Sequence, residues 1–467
     1  MARLPLLMPD DLIAQLPAGQ PQPSRAVAER LGVNRMTLTR LVAAAGNRVV
    51  RLGNTRATAY AVRQFTRAGS DWPLFRLRED ATLEDLGTVT ALTGNSFHVR
   101  ISTARPNLTR APEGDIAAFF PGLPWYLDDL RPQGFLGRSF AHGPAQALGL
   151  PADLNRWQQD DVLVALVSAG GTEVGDLLMG GTAVEAAMAG LQTPTDHVAA
   201  GERLRRYPER AHAALAGETV GSSPGGEQPK FTATVEAKGG RRAMLVKFAQ
   251  PGAGEAAERW SDLLVCEHLA LQVLAEAGMD AACSTLLQTD THTFLELERF
   301  DRTPDVLGRR GFVSLLSLSS AFTGEATLEW PTAAAQLQAL GWLSAKTVQA
   351  VGQLHAFGRL IGNTDMHQGN LGFHLIDRGE LPLAPAYDML PMSLAPSRSG
   401  VVSRKEALPS IAPRSSGELA CLRRAAPLAS VFWERVAADT RVRSGVLREL
   451  ARANAGRVAE MALRYGA

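Results

Sequence analysis

Apolar residues recur with two different periods along the chain, and the switches between them divide it. In residues 35–45, Leu38, Leu41, Val42 and Ala45 repeat at i, i+3, i+4 and i+7, the stripe of an amphipathic helix. Met36, Thr37, Thr39 and Arg40 fall on the opposite face. A shorter helix is expected over residues 25–31, capped by Ser24, with Val27, Ala28 and Leu31 on one side. Gly32-Val33-Asn34 makes the turn between the two, and Asn34 is placed to cap the second. A further short helix is expected over residues 9–18, before the breakers Gly19 to Pro23. The stretch VVRLGNTRATAYAV then reads as two extended runs around Gly53-Asn54, a hairpin signal. Helix, turn, helix and hairpin in that order predict a winged helix-turn-helix over residues 1–68.

Residues 69–220 carry a second hairpin signal, alternating from 86 to 101 around Gly94-Asn95, followed by a mostly helical stretch over 153–218. Trp72, Trp125 and Trp157 read as packing residues. Arg203, Arg205 and Arg206 read as a solvated helix face. From residue 221 the texture changes. A Gly/Ser-rich loop, GSSPGGEQPK, precedes two strand-like runs around Lys238-Gly239-Gly240, a helix over 255–277 and two more strand-like runs. Residues 304–467 are mainly helical, interrupted at 361–391. The expected class is α+β, with a strand-rich lobe at 221–303 before a helical lobe.

Composition narrows the setting. No run of about 18 apolar residues occurs, so no membrane span or membrane partner is expected. Asp10 and Asp11 follow the short apolar start where a signal peptide needs a small-residue cleavage site. Cys266, Cys283 and Cys421 are scattered and form no CxxC pair, which fits a reducing cytoplasm rather than a disulfide or zinc-thiolate scaffold. The net charge of +1 conceals an asymmetry: residues 21–67 hold nine arginines and one acid, Glu29. A basic module on a mildly acidic body points to a local nucleic-acid footprint. Arg35, Thr37, Thr39 and Arg40 on the second helix, with Arg51 and Arg56 on the hairpin, are the DNA-contact candidates.

The second chemical signal lies in the C-terminal half. In GNTDMHQGN, Asp365 precedes Asn370 by five residues, the offset of a phosphoryl-transfer catalytic loop. Such an offset lets the aspartate face a hydroxyl while the amide turns back to a metal. Asp388 in PAYDML supplies a second hard oxygen ligand, suited to magnesium. Upstream, Lys247 ends an apolar strand-like run, and Glu267 follows twenty residues later in the expected helix, where it can fix the lysine. Gly225 and Gly226 can turn backbone N–H groups toward phosphate. These are the parts phosphoryl transfer requires.

Four stretches, SPGGEQPK (223–230), ERFDR (298–302), NTDMHQGN (363–370) and Tyr387-Asp388, resemble the HipA-like serine/threonine kinases, toxins of bacterial persistence toxin–antitoxin pairs. The resemblance spans roughly residues 75–450 and implies a two-lobed protein-kinase-like fold using ATP and Mg2+. It implies Asp365 as catalytic base, with Asn370 and Asp388 on the metal. Gly225, Gly226, Gln228, Lys230, Lys247, Glu298, Phe300, His367, Asn370, Tyr387 and Asp388 would surround ATP. Ser223 would be an autophosphorylation site that silences the enzyme. The implied substrate is a protein Ser or Thr, on an aminoacyl-tRNA synthetase or another translation protein. The family draws its DNA-binding helices from a separate antitoxin, whereas this chain is expected to carry its own. An antitoxin and a second copy are both open as partners. Two other readings remain: a DNA-binding regulator with a nucleotide-sensing, non-catalytic body, and a metal-dependent hydrolase built on His355, His367, His374 and Asp365.

Overall fold

The computed structural model describes residues 7–53, 57–112, 118–169, 173–216, 228–237, 239–250, 252, 254–397, 399–402 and 408–466. Near the N-terminus, the helices Ser24–Leu31 and Arg35–Ala45 are joined by a turn in which Gly32 takes a left-handed φ of 64°. Asn34 accepts a hydrogen bond from the Thr37 N–H at 2.9 Å, the expected cap. Leu38, Leu41 and Ala45 are buried against Leu12, Leu16 and Val27. Strands β1 (Gln22–Pro23), β2 (Val49–Leu52) and β3 (Ala59–Val62) form a sheet in the order β1-β3-β2.

Two local expectations are corrected. The first helix covers only Pro9–Ile13, because the chain turns at Ala14. Ser24 does not cap the next helix. It is the first helical residue, and its N–H is taken by the Thr58 carbonyl at 2.9 Å as β1 pairs with β3.

This module is docked on the β-rich segment C-terminal to it. Gly19 N–H bonds the Thr93 carbonyl at 2.7 Å, and Thr93 N–H bonds Val62 at 2.9 Å. A Cβ on Gly94 would meet the Gly19 nitrogen at 2.5 Å, so this approach needs glycine. The segment is an antiparallel sheet of β4 (Asp71–Leu77), β5 (Leu83–Leu92), β6 (Ser96–Ile101), β7 (Phe119–Phe120) and β8 (Leu177–Met179), in the order β7-β6-β5-β4-β8. The hairpin predicted around Gly94-Asn95 is the β5–β6 turn.

A second five-stranded sheet contains β9 (His197–Val198), β10 (Lys230–Ala237), β11 (Gly240–Ala249), β12 (Ser284–Gln288) and β13 (Thr293–Glu298). Its order is β12-β13-β11-β10-β9, and β9 runs parallel to β10. The helix Arg203–Ala216 packs on the same sheet, with Tyr207 buried among Phe231, Phe248 and Phe294. Residues 197–216, read from sequence with the preceding segment, therefore pack with this lobe. Arg203 is likewise not a solvated arginine. It donates to the buried carboxylate of Glu296 at 2.9 Å, beside the Tyr207 hydroxyl. Arg205 and Arg206 do lie exposed.

The helical lobe is built on Ala345–Leu360, Ser416–Ala438 and Gly445–Tyr465. The Trp433 indole N–H donates to the Leu360 carbonyl at 3.0 Å, tying two of them together. A short pair, β14 (Val313–Ser314) with β15 (Gly372–Phe373), flanks the loop between Leu360 and Gly372. The architecture is mixed α/β, with a cleft between a sheet lobe and a helical lobe.

Candidate functional site

The floor of the cleft is an ion triad. Lys247 sits in β11, where the register pairs it with Lys230 on one side and Leu295 on the other. Apolar neighbours bury it, leaving 3% exposed. Its Nζ donates to both Glu267 oxygens, at 2.7 and 2.8 Å, and also contacts Asp388. Glu267 is fully buried on the helix Glu255–Glu276, which crosses behind β11. Burial alone would lower the lysine pKa, but Asp388 and Glu267 more than offset it and hold the ammonium charged. Burial raises Glu267, only partly countered by Lys247. Asp388 lies below the ordinary carboxylate range, because Lys247 and then Lys230 overcome the burial that would raise it. Lys230, paired with Lys247 across the sheet, acts on both carboxylates as a second cation.

Asp388 itself is held in a costly conformation. Its φ is 52°, the left-handed region that non-glycine residues rarely occupy. The Asn363 side chain donates to its carbonyl at 3.1 Å and so helps to hold it there. The same asparagine accepts from the Asp365 N–H at 3.0 Å, shaping the start of the 363–370 loop. Asn370 Nδ2 closes the loop on the Asp365 carbonyl at 2.9 Å. Gln368 is buried and donates to the carbonyls of Glu325 and Leu328, both at 3.0 Å. The Trp330 indole holds the His367 carbonyl at 2.9 Å. The loop is thus pinned from three directions while Asp365 stays exposed.

A cavity of about 590 Å³ opens over these groups. Gln228, Lys230, Lys247, Glu298, Phe300, Asp365, His367, Asn370, Tyr387 and Asp388 all line it. Ten residues from both lobes, chosen by motif and spacing, are therefore brought to one space. Gln228 is fastened by a 2.6 Å bond from its side chain to the Phe248 carbonyl. Phe300 stacks on Tyr387, with centroids 5.8 Å apart and planes 29° from parallel. The Tyr387 hydroxyl donates to the Gly369 carbonyl at 2.8 Å. Burial, then Asp388 and Asp129, push its pKa well up. Ser223, Gly225 and Gly226 lie outside the described residues, as does Arg56.

Asp388 and Asn370 offer the hard oxygen donors that magnesium takes, and no described cluster of three His, Cys, Asp or Glu is placed to hold a metal by itself. That donor set fits magnesium, which is usually held by one or two carboxylates completed by phosphate and water. The three histidines of the hydrolase reading form no metal-holding cluster among the described residues. His355 packs beside Trp330, His367 accepts from Gly369 N–H, and His374 faces the Gly311 carbonyl.

The sequence pattern gave no sign of one wall of the cavity. Asp129, Leu130, Gln133, Phe135 and Leu136, from the segment ahead of both lobes, also line it. A buried charge cluster was likewise missed in the segment after β13 that leads from the sheet lobe to the helical lobe, the hinge. There Asp301 accepts from Arg299 at 2.8 Å, from Arg302 at 2.7 Å and from Gly175 N–H at 2.9 Å. Burial would raise Asp301, but the two arginines hold it far below the ordinary range. The ERFDR motif was the visible signal for this cluster.

At the N-terminal module, Arg35, Thr39, Arg40 and Arg51 are exposed and Thr37 is half-buried. Thr39 donates its hydroxyl back to the Arg35 carbonyl at 2.9 Å, and Arg51 reaches Thr58 at 3.4 Å. No helix among the described residues is long and apolar enough to cross a membrane.

Comparison with known proteins bears on this site. Residues 222–459 match the HipA-like C-terminal domain, and residues 68–188 match the middle domain of YjjJ-like toxins. Toxin YjjJ of Escherichia coli K12 is 37% identical over 437 residues, covering 92% of this chain and 93% of that one. Among solved structures, HipA of Shewanella oneidensis MR-1, determined with HipB and operator DNA, aligns at 13% identity and TM-score 0.47. That alignment covers 84% of this chain and 97% of the other. The Helicobacter pylori proinflammatory kinase CtkA aligns at 13% identity and TM-score 0.36, over 50% of this chain and 94% of that one. On the domain match and the identity to YjjJ, the chain belongs to the HipA-like toxin family.

Proposed function

We propose that the chain is an ATP- and magnesium-dependent serine/threonine protein kinase whose N-terminal module is a DNA-binding winged helix. The observation that carries the first half is the buried Lys247–Glu267–Asp388 triad facing Asp365 and Asn370 across one cavity. In this reading Lys247 neutralises phosphate oxygens and Glu267 fixes its position. Phe300 and Tyr387 border the base, and Glu298 lies at the hinge. Asn370 and Asp388 hold magnesium, which when bound offsets charge on the phosphates. Asp365 orients a Ser or Thr hydroxyl of a protein substrate. The hydroxyl oxygen bonds the γ-phosphorus, the bond from that phosphorus to the bridging oxygen breaks, ADP leaves, and the hydroxyl proton passes to the Asp365 carboxylate.

Ser223 as an autophosphorylation site, a translation protein as target and an antitoxin as partner rest on the family resemblance alone. The DNA half is supported by helix order, the Asn34-capped helix and the exposed Arg35, Arg40 and Arg51.

A second reading, a nucleotide-sensing regulator without turnover, draws on the direct Lys247–Asp388 contact, which ties up the metal carboxylate. Purified protein with γ-labelled ATP and magnesium separates the two. Transfer of label to itself or to a lysate protein, lost in Asp365→Asn, supports the kinase. No transfer, or equal transfer by the variant, defeats it.

A further inference from the structure

The segment Trp125–Leu130 buries Trp125, Tyr126, Leu127 and Leu130, which leaves Asp128 and Asp129 as its polar positions. Asp128 pairs with Arg131 at 2.8 Å. Asp129 has no such partner: among the described residues its surroundings are hydroxyls, a backbone N–H and another carboxylate. Ser314 N–H donates to its Oδ2 at 2.7 Å and the Ser314 hydroxyl to its Oδ1 at 2.7 Å. With the Ser317 hydroxyl this makes three donors on two oxygens, which have room for about four. The carboxylate is partly buried and lines the cavity described above, so its remaining lone pair can take a donor from there.

Its place along the cavity decides which donors. Ser314 caps the helix Leu315–Phe322, accepting from Ser317 N–H at 3.1 Å. Two residues earlier, Phe312 lies 5.7 Å from Phe300 at the hinge. Tyr387 feels both Asp388 and Asp129. Ser314 also pairs with Gly372, two residues past Asn370, so Asp129 stands between Phe312 and the end of the 363–370 loop. A bare carboxylate beside phosphates would repel them. Between a base at the hinge and phosphates at Lys247 lies the sugar, whose vicinal hydroxyls are paired donors. Acidic side chains take ribose hydroxyls in the same way in dinucleotide sites.

We propose that Asp129 binds the ribose hydroxyls of the nucleotide, so that a segment outside both lobes completes the nucleotide site. This rests on the ATP-site reading above. The test is calorimetric binding of a non-hydrolysable ATP analogue and its 2′,3′-dideoxy counterpart to the full chain. The wild type should prefer the ribose form by about tenfold or more, the scale of a hydrogen bond to a charged group. Asp129→Ala should bind the two forms equally, with dideoxy affinity unchanged. If Asp129→Ala does not fold, Asp129→Asn keeps a Ser314 contact and should lose part of the preference.

Equal loss for both analogues, or a preference undiminished in the variant, overturns the inference and leaves the kinase reading standing. So does unchanged nucleotide binding with weaker labelling of a protein acceptor, which would assign Asp129 to the acceptor instead. No binding of either analogue by the wild type overturns both.

Discussion

The cleft and the N-terminal module both carry charged residues picked from sequence, yet they constrain those residues in opposite ways. In the cleft, Lys247 and Glu267 are buried, and each needs the other to avoid an unpaired charge. Burial forces a specific geometry, and the geometry narrows the chemistry. On the module, Arg35, Arg40 and Arg51 are exposed, and few contacts inside the fold dictate where they point. Their partner is legible only as a charge preference. Buried charge specifies a ligand, whereas exposed charge specifies a class of ligand.

The largest effect should separate the two regions cleanly. Asp365→Asn is expected to lower label transfer from ATP by about 10²–10⁴-fold, the range for loss of a positioned base, and to leave DNA affinity as it was. Parallel loss of DNA binding would show that the regions are not independent.

Lys247→Met comes next, because it should break both chemistry and stability. Removing one partner of a buried ion pair costs about 3–5 kcal/mol, readable by urea unfolding. The pH dependence has a definite sign. Glu267 already sits above its ordinary value through burial, and losing Lys247 raises it further. The folded variant then binds more protons than its unfolded chain above the unfolded carboxylate pKa, so its stability falls as pH rises. Asp301 provides the opposite slope. Its folded pKa is depressed, so its contribution is present above the unfolded value and lost on acidification. A flat stability profile for Lys247→Met from mildly acidic to neutral pH would contradict the account of the triad.

A smaller effect is expected at the module. Arg35→Ala and Arg40→Ala should each weaken DNA binding, with kinase activity retained. Each should also reduce the salt slope by about 0.9 for every phosphate that is no longer neutralised. Unchanged slopes in both would take the DNA contact away from this helix. Smallest of all, Asn34→Ala removes the cap that holds the Thr37 N–H, at a cost of about 1 kcal/mol. Its signature is a lower melting temperature with weaker DNA binding and normal nucleotide affinity.

Legibility varied with how local the cause was. The Asn34 cap and the Leu38/Leu41/Ala45 stripe were readable because a helix turn involves only near neighbours. Lys247 and Glu267 were readable because a strand followed by a helix returns twenty residues of chain to the same place. Ser24 was misread, because its N–H is claimed by Thr58, which arrives with a different strand. Arg203 was misread too, although a signal existed. It lies four residues before Tyr207, on the same helix face, and Tyr207 is buried.

What the sequence determined by itself was the order of the parts: which stretches repeat at helical or strand period, where the turns fall, and which hard oxygens and cations stand at phosphoryl-transfer spacings. Only the tertiary structure decided that Asp129, 185 residues from Ser314, closes the same cavity. It likewise placed Arg203 against Glu296 and put Asp388 at a φ of 52° beside Lys247. The reason is physical. Periodicity and capping are set within a few residues, whereas a contact across the cleft depends on how whole lobes pack, and no local pattern records that distance.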